Sequence, residues 1–278
     1  MIAKHSTRMT VTYTSSPPTS RVARPSPWVV LPRPLPGARL RLFCFPFAGG
    51  GASVYTPWVQ HLPPGVELVA VQLPGRENRL AEEPFAHLPP LVERLVAELA
   101  PFMDRPFAFY GHSNGGLVAF ELARALRRLG RRGPEHLFIG GRPAPQLVLD
   151  EPPLHSMPHD EFLDALRRYN GTPEEVLQNP EIMELIVPML RADFSLGETY
   201  AYAPEPPLAI PVSAYAGARD EEVPTEQVEA WREQTSGPFV FRVFPGDHFF
   251  ITSDRAQVLA QLAAELGRVL ARLGPVYA

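Results

Sequence analysis

Short apolar runs alternate with amphipathic segments along most of this chain. Six of these runs are four to seven residues long, which is typical of buried strands and too short for most helices. The predicted strands are Arg39–Phe45, Glu67–Gln72, Phe107–Tyr110, His136–Gly140, Val212–Ala216 and Phe239–Phe244. Together these runs predict the strands of one sheet.

Apolar residues recur at helical spacing between several of these strands, for example at Leu91, Leu95 and Leu99. The predicted helices are Leu91–Met103, a helix that starts after Ser113 and stops at Gly130, and a final helix over Ala256–Leu273. Strands that alternate with helices favour right-handed crossovers. The sequence therefore predicts an α/β fold, a mostly parallel sheet with helices on both faces.

The interval 142–207 breaks this alternation. It contains the helical stretches His159–Tyr169, Pro173–Leu177 and Glu181–Ala201 without a convincing strand between them. We interpret this interval as a helical insertion over one end of the sheet, that is, a lid. The alternative is a set of ordinary crossover helices.

The first 36 residues differ in composition from the rest. The stretch SSPPTSRVARPSP shows neither helical nor strand periodicity, and the chain contains 34 prolines in all. A segment this polar cannot offset the entropy of ordering by burying apolar surface. We expect residues 1–36 to be a disordered tail and residues 37–278 to form the folded domain. A docking role for the tail is the alternative.

Composition and charge exclude several classes of protein. The formal net charge is −4, so the chain lacks the basic excess that attracts nucleic acid or an anionic membrane. Cys44 is the only cysteine, which excludes an internal disulfide and a paired-cysteine metal or redox site. Neither a transmembrane run nor the apolar core of a signal peptide is visible. We expect a soluble cytoplasmic protein.

The strongest chemical signal is a G-x-S-x-G pentapeptide that runs from Gly111 to Gly115. It follows the predicted strand Phe107–Tyr110 and precedes a helical pattern, which is the strand–turn–helix context that this motif requires. The small residues on either side leave room for a tight turn that presents the Ser113 hydroxyl at the carboxyl edge of the sheet. Ser113 is the candidate nucleophile. The alternative is a glycine-rich turn with an idle serine.

A serine hydroxyl is a poor nucleophile at neutral pH unless a base lies beside it. Of the eight histidines, His248 directly follows the last predicted strand, in a loop expected over the same sheet edge. His112 lies inside the motif, where the turn points it away from the nucleophile. We predict that His248 acts as general base and later as general acid. The alternative is a histidine on a surface loop.

An acidic residue that orients the histidine should lie between nucleophile and base in the chain. Asp220 follows the predicted strand Val212–Ala216 and is our choice. Its carboxylate would accept a hydrogen bond from the second ring nitrogen of the histidine. Close competitors in sequence are Glu221, Glu222 and Asp247.

An oxyanion hole needs two backbone N–H groups that point at the developing negative charge. One donor should be Asn114, which follows the nucleophile. The other should come from the glycine-rich loop after the first predicted strand, where Phe47 and Ala48 are equal candidates. The alternative is a flexible turn. This loop lacks both the P-loop pattern and G-x-G-x-x-G, which argues against nucleotide binding.

Several segments together resemble one enzyme family. In chain order they are FCFPFAGGGASVY, VQLPGREN, FYGHSNGGLVAFELAR, LRADF with a following ETY, GARDEEVP and GDHFF. This set resembles the type II, stand-alone thioesterases that serve polyketide and nonribosomal peptide synthases in antibiotic biosynthesis. The similarity extends from about residue 38 to the end of the chain.

The resemblance implies an α/β-hydrolase fold with a helical lid. It also implies that the protein hydrolyses acyl groups from the phosphopantetheine arm of an acyl- or peptidyl-carrier protein, and that it acts on small acyl thioesters. By position, Ser113, Asp220 and His248 match the triad of the family, and neither a metal nor an organic cofactor is expected. Two departures are Asn114, where the family usually has Met or Leu, and Phe47, where it often has His or Tyr.

Three other activities remain open from sequence. A broad carboxylesterase or lipase would use the same triad, an acyltransferase or cyclase would also use it, and a non-catalytic partner protein would not need it. The basic cluster Arg127, Arg128, Arg131 and Arg132 fits either docking of an acidic carrier protein or a helix C-terminus. Candidate residues of an acyl channel, which could equally pack the lid on the core, are Phe162, Leu166, Leu185, Ile186, Met189, Leu190 and Phe194.

Overall fold

The computed structural model, which describes residues 26–148, 152–169 and 171–274, is built on one sheet. Its strands are β1 (Val29–Val30), β2 (Leu40–Phe45), β3 (Val66–Val71), β4 (Phe107–His112), β5 (Leu137–Gly140), β6 (Val212–Gly217) and β7 (Phe239–Phe244). The spatial order is β1-β3-β2-β4-β5-β6-β7. Only the β1–β3 pair of this sheet is antiparallel, so the predicted mostly parallel α/β fold is confirmed.

The continuous apolar runs reflect burial on both faces of the sheet. In β4, Phe107 and Phe109 pack into one hydrophobic cluster, whereas Ala108 and Tyr110 pack into the other. Successive side chains of a strand point to opposite faces, so a strand that is covered on both sides must be apolar at every position. This explains why β4 shows no alternation of polar and apolar residues.

Helices cover the two faces as predicted. The described α-helices are α1 (Leu88–Glu98), α2 (Asn114–Arg128), α3 (His159–Tyr169), α4 (Glu174–Leu177), α5 (Pro180–Glu198), α6 (Thr225–Glu229), α7 (Phe250–Ser253) and α8 (Arg255–Arg272). Helices α1 and α2 pack on the face that contains Phe107 and Phe109. Helix α8 and the 3-10 helix Ala52–His61 pack on the other face.

Prolines account for the difference between the predicted and observed first helix. The prediction was Leu91–Met103, but α1 starts at Leu88 and ends at Glu98. Pro89 lies in its first turn, where the missing N–H would have no partner inside the helix. The helix cannot continue through Pro101, and residues Ala100–Phe102 form a separate 3-10 turn instead.

The interval between β5 and β6 carries α3, α4 and α5, in agreement with the predicted helical stretches. These helices have a small hydrophobic cluster of their own. Its buried members are Leu154, Phe162, Ala165, Leu166, Leu177, Met183, Val187, Met189 and Leu190. We call α3 to α5 the helical insertion.

The N-terminal boundary differs from the prediction. Trp28 is buried with 3% of its surface exposed, and Val29–Val30 pairs with the outer side of β3. The guanidinium of Arg79 lies 4.2 Å above the indole ring. The expectation of a disordered tail was therefore wrong for residues 26–36. Residues 1–25 lie outside the described part of the chain.

Candidate active site

Ser113 occupies the tight turn between β4 and α2. Its φ of 52° and ψ of −123° are unusual for a residue with a side chain, and its N–H donates to the carbonyl of Gly140 at 2.7 Å. A Cβ atom at Gly111 would overlap the carbonyl of Gly115, and a Cβ atom at Gly115 would overlap the carbonyl of Phe45. The turn therefore requires glycine at both positions of the pentapeptide.

His248 and Asp220 form a buried hydrogen bond. Nδ1 of His248 lies 2.8 Å from Oδ2 of Asp220, and 6% and 0% of the two side chains are exposed. Oδ1 of Asp220 accepts the N–H groups of Glu222 and Val223 at 3.1 and 3.0 Å. These two contacts fix the carboxylate, and the carboxylate in turn orients the imidazole. Its Nε2 remains available to accept a proton.

Asp247, the competing carboxylate next to His248 in the sequence, forms a hydrogen bond with the backbone and not with the imidazole. Oδ1 of Asp247 accepts the N–H of Phe249 at 2.9 Å. The two residues after β6 that competed with Asp220, namely Glu221 and Glu222, belong to the turn that Asp220 closes with its side chain.

Ser113 and His248 line the same cavity, which has a volume of about 570 Å³. Phe47, Ala48 and Asn114 also line it, so the structure brings every predicted site residue except Asp220 to its wall. Asp220 lies behind His248, as its hydrogen bond shows. The volume is within the usual range for a small-molecule site.

The loop after β2 leaves two backbone donors without an acceptor in the described structure, in the cavity that contains Ser113. The N–H of Gly49 donates to Asp193, and the N–H of Gly50 donates to the carbonyl of Phe47. Within the described residues, the N–H groups of Phe47, Ala48 and Asn114 have no hydrogen-bond acceptor. Each of these three is therefore available to a negative oxygen in the cavity.

Only three of the seven proposed acyl-channel residues lie at the cavity wall. Leu166, Leu190 and Phe194 line the cavity. Phe162 and Met189 are buried in the core of the helical insertion. The remaining two candidates are Ile186, which packs against that core, and Leu185, which is exposed.

His112 is fully buried and contacts the backbone of His248. Its Nε2–H donates to the His248 carbonyl at 2.7 Å. Burial, together with the nearby His248 ring, lowers the pKa of His112 to about 3, so this ring is neutral near pH 7. No pattern in the sequence indicated this contact, because it joins residues 136 positions apart.

Asn114 and Arg142 form a polar group at the cavity wall that sequence reasoning did not find. Arg142 follows β5, lines the cavity and donates from Nη1 to Oδ1 of Asn114 at 2.8 Å. Burial lowers the pKa of Arg142. A Cβ atom at Gly197 of α5 would lie 2.5 Å from Oδ1 of Asn114 and 2.9 Å from Nη1 of Arg142, so a side chain at this position would displace the pair.

Three of the four arginines in the basic cluster at the end of α2 form ion pairs within the chain. Arg127 and Arg128 both pair with Glu205, at 2.7 and 2.6 Å, and Arg132 pairs with Glu135 at 2.7 Å. Partial burial raises the pKa of Glu205, but the hydrogen bonds from Arg127 and Arg128 outweigh this effect and lower the pKa to about 2. These contacts favour a structural role for the cluster over carrier docking.

Comparisons with known proteins agree with this geometry. The family described as thioesterase domain matches residues 40–266. The chain belongs to the thioesterase family. It is a thioester hydrolase, and the family resemblance seen in the sequence is confirmed.

Individual relatives cover most of this thioesterase. It is 42% identical to the gramicidin S biosynthesis protein GrsT of Aneurinibacillus migulanus, over 90% of this chain and 98% of that protein. It is 39% identical to the thioesterase PikA5 of Streptomyces venezuelae, over 86% and 85% of the two chains. The solved type II thioesterase BorB, from the borrelidin biosynthetic cluster, superposes with a TM-score of 0.79 at 36% identity, over 87% of this chain and 98% of that one.

No helix among the described residues is long and apolar enough to cross a membrane.

Proposed function

We propose that this thioesterase removes acyl groups from the phosphopantetheine arm of carrier proteins through an acyl-Ser113 intermediate. The hydrogen bond between His248 Nδ1 and Asp220 Oδ2, at the wall of the cavity that also contains Ser113, is the observation that carries the proposal. It supplies an oriented base in the same cavity as a hydroxyl on a sharp turn.

In the first half-reaction, Nε2 of His248 accepts the proton of the Ser113 hydroxyl as Oγ attacks the thioester carbonyl. Asp220 holds the imidazole in the tautomer that has a free Nε2 and stabilises the imidazolium that forms. The carbon–sulfur bond then breaks, and the thiol leaves with the proton from His248. A thiolate leaves readily, so little acid assistance is needed.

The tetrahedral intermediate carries its negative charge on the former carbonyl oxygen. The N–H of Asn114 and that of Phe47 or Ala48 are the donors we assign to this oxygen, because these three groups have no acceptor within the described part of the protein. Asn114 is also the first residue of α2, whose N-terminus favours negative charge.

In the second half-reaction, His248 accepts a proton from water, and the resulting hydroxide attacks the acyl-Ser113 ester. The ester bond breaks, His248 returns the proton to Oγ, and the free acid is released. Hydrolysis rather than transfer or cyclisation is part of the proposal.

The substrate class is supported by the relatives. Two of them belong to gramicidin S biosynthesis and to the borrelidin cluster, and further solved relatives belong to nonribosomal peptide and polyketide pathways. We assign to this chain an editing role, which is removal of misprimed or stalled acyl units from acyl- or peptidyl-carrier proteins.

The helical insertion serves as the lid of this site in our proposal, within the interval 142–207. Leu166, Leu190 and Phe194 contribute apolar surface to the cavity from α3 and α5, which suits an acyl chain. The cytoplasmic location expected from the sequence stays a prediction.

The test is a panel of acyl-carrier proteins and acyl-pantetheine thioesters with different acyl chains, incubated with the full chain and followed by mass spectrometry. We expect loss of the acyl group from the arm, release of the free acid, and a transient acyl adduct on Ser113. Matched p-nitrophenyl esters provide the comparison. A large preference for the oxygen esters would contradict the proposed substrate class, and a cyclic or transferred product would contradict hydrolysis.

A further inference from the structure

A buried ion pair connects the helical insertion to the core of the protein. Arg76 follows β3, and Asp193 lies on α5, 117 positions away. Their side chains form two hydrogen bonds, Nη1–Oδ2 at 2.7 Å and Nη2–Oδ1 at 2.8 Å, and each side chain is only 4% exposed. The pair therefore holds α5 against the segment that follows β3.

Asp193 contacts both halves of the proposed oxyanion hole. Its Oδ2 accepts the N–H of Gly49 at 2.7 Å, directly after the Phe47-Ala48 segment. Its backbone carbonyl accepts Nδ2 of Asn114 at 2.7 Å. One residue of α5 is thus bonded to the loop after β2 and to the residue after the nucleophile.

Arg76 and Gln72 hold the same loop from the other side. Nη1 of Arg76 donates to the carbonyl of Gly50 at 3.1 Å, and Oε1 of Gln72 accepts the N–H of Ala52 at 2.7 Å. Nε2 of Gln72 donates to the carbonyl of Arg76 at 3.1 Å. Buried side chains from outside the loop therefore hold backbone groups of three of its residues, Gly49, Gly50 and Ala52.

A buried ion pair is seldom the most stabilising choice for a protein core. Two charges removed from water lose hydration, and matched apolar residues often stabilise a protein as well as a buried ion pair does. What the side chains of Arg76 and Asp193 provide that apolar residues cannot is a pair of directed hydrogen bonds to the backbone of the loop, at Gly49 and Gly50. An oxyanion hole depends on such preorganised donors.

We propose that Arg76 and Asp193 are positioning residues: their side chains hold the N–H donors of Phe47 and Ala48 toward the tetrahedral intermediate, and their ion pair seats the α5 backbone against the side chain of Asn114. This inference rests on the proposed function, because it assumes that these donors face a developing oxyanion. It also implies that α5 stays packed against the core during turnover. Movement of α5 away from the core would break the contacts of Asp193 with Gly49 and Asn114.

Two changes test the positioning role. Asp193→Asn keeps the shape of the side chain but removes the charge that pairs with Arg76. The double variant Arg76→Met/Asp193→Leu removes both charges together, so no unpaired charge is buried and we expect the variant to fold.

The matched control is Glu67→Gln. Glu67 forms a similarly buried ion pair with Arg41, at 2.6 Å, with side chains 4% and 8% exposed. It lies near the start of β3, at the edge of the parallel sheet opposite the cavity.

Four measurements are made on the full chain: kcat and KM for an acyl-pantetheine thioester, the inhibition constant of an alkyl trifluoromethyl ketone, and thermal unfolding. The ketone adds the Ser113 hydroxyl and places an oxyanion in the hole, so its affinity reports on the donors. We expect both Asp193 variants to lose about 10- to 100-fold in kcat, with parallel weakening of the ketone and KM within about threefold. Glu67→Gln should lower the unfolding temperature and leave kcat and ketone affinity unchanged.

The inference is overturned if kcat and ketone affinity of both Asp193 variants match those of Glu67→Gln. It is also overturned if KM rises while kcat is retained, because the pair would then shape the acyl cavity and not the hole. If the unmodified enzyme cleaves only oxygen esters, the proposed substrate class is wrong. The Asp193 variants can then still be compared with Glu67→Gln on an ester substrate, which tests the positioning role separately. The two failures are therefore distinguishable.

Discussion

The ring of His112 donates a hydrogen bond to the backbone of His248, with 2.7 Å between Nε2 and the carbonyl oxygen. A buried residue of the serine turn thus supports the loop that carries the proposed base. The opposite ring nitrogen, Nδ1, is buried without a partner among the described residues, as expected for a neutral ring with its proton on Nε2.

Replacement of His112 by Leu should lower activity and stability together. The His248 carbonyl would lose its donor, and an unsatisfied buried acceptor costs about 1–3 kcal/mol in the free energy of unfolding. We expect kcat to fall by about 10- to 100-fold because the imidazole loses its exact placement. His112→Gln, whose amide can still donate, should recover most of the activity; equal activity of the two variants would contradict this role. Steady-state kinetics and thermal unfolding measure both effects.

Substitutions of Ser113 should separate chemistry from backbone strain. Ser113→Ala and Ser113→Gly both remove the nucleophile, so kcat should fall by at least about 10⁴-fold in each. Glycine adopts a φ of 52° without a steric penalty, whereas alanine does not. Ser113→Gly should therefore be the more stable of the two by about 1 kcal/mol, measured by chemical denaturation. Near-normal hydrolysis by either variant would refute the assignment of the nucleophile.

Asp220→Asn should reduce kcat by about 10³- to 10⁴-fold with little change in fold. The amide oxygen can still accept the N–H groups of Glu222 and Val223, which turns the NH₂ group toward His248. His248 Nδ1 must then accept a hydrogen bond, its proton moves to Nε2, and the base function is lost. Asp247→Asn is the control, since Asp247 bonds to the N–H of Phe249 and not to the imidazole. A larger loss in the control would reverse the assignment.

His136 should make the protein less stable in mild acid. Burial, followed by repulsion from Arg272 and Arg268, lowers the pKa of His136 to about 3, against about 6.5 in the unfolded chain. Between these values the unfolded state binds a proton that the folded state does not, so this contribution is complete above pH 6.5 and is lost as the pH falls toward 3.

The matched variant for this effect is His136→Gln, which cannot titrate. From pH 7 to pH 5, the free energy of unfolding of the unmodified chain should fall by about 2 kcal/mol more than that of the variant. Denaturant titrations at the two pH values measure the difference. Parallel pH profiles of the two proteins would show that His136 takes up its proton in the folded state.

Elements with a strong apolar pattern were predictable from the sequence, and weak ones were not. The strands β2 to β7 were all expected, because a strand buried on both faces leaves a continuous apolar run. The two-residue strand β1 was missed, since Val29–Val30 has no periodicity and follows a proline-rich stretch. Its place in the sheet is decided by pairing with β3 and by burial of Trp28.

The candidate site was predictable as far as local context allowed. Ser113 stands in a strand–turn–helix motif, and His248 follows the last strand, so topology alone brings both to the carboxyl edge of the sheet. Asp220 could only be preferred over its neighbours, because consecutive acidic residues in one turn look alike in sequence. The hydrogen bonds that Asp220 accepts from Glu222 and Val223 are properties of the folded turn.

The order of strands and helices, the glycine-flanked nucleophile and the family were determined by the sequence alone, because they depend on neighbours within a few residues. The Arg76–Asp193 ion pair and the bond between His112 and His248 were decided only by tertiary structure. These partners are more than a hundred positions apart, and their distance depends on how α5 and the last loop pack on the sheet. Hydrophobic periodicity specifies which face of an element is buried, but not which polar group from a distant part of the chain lies against it.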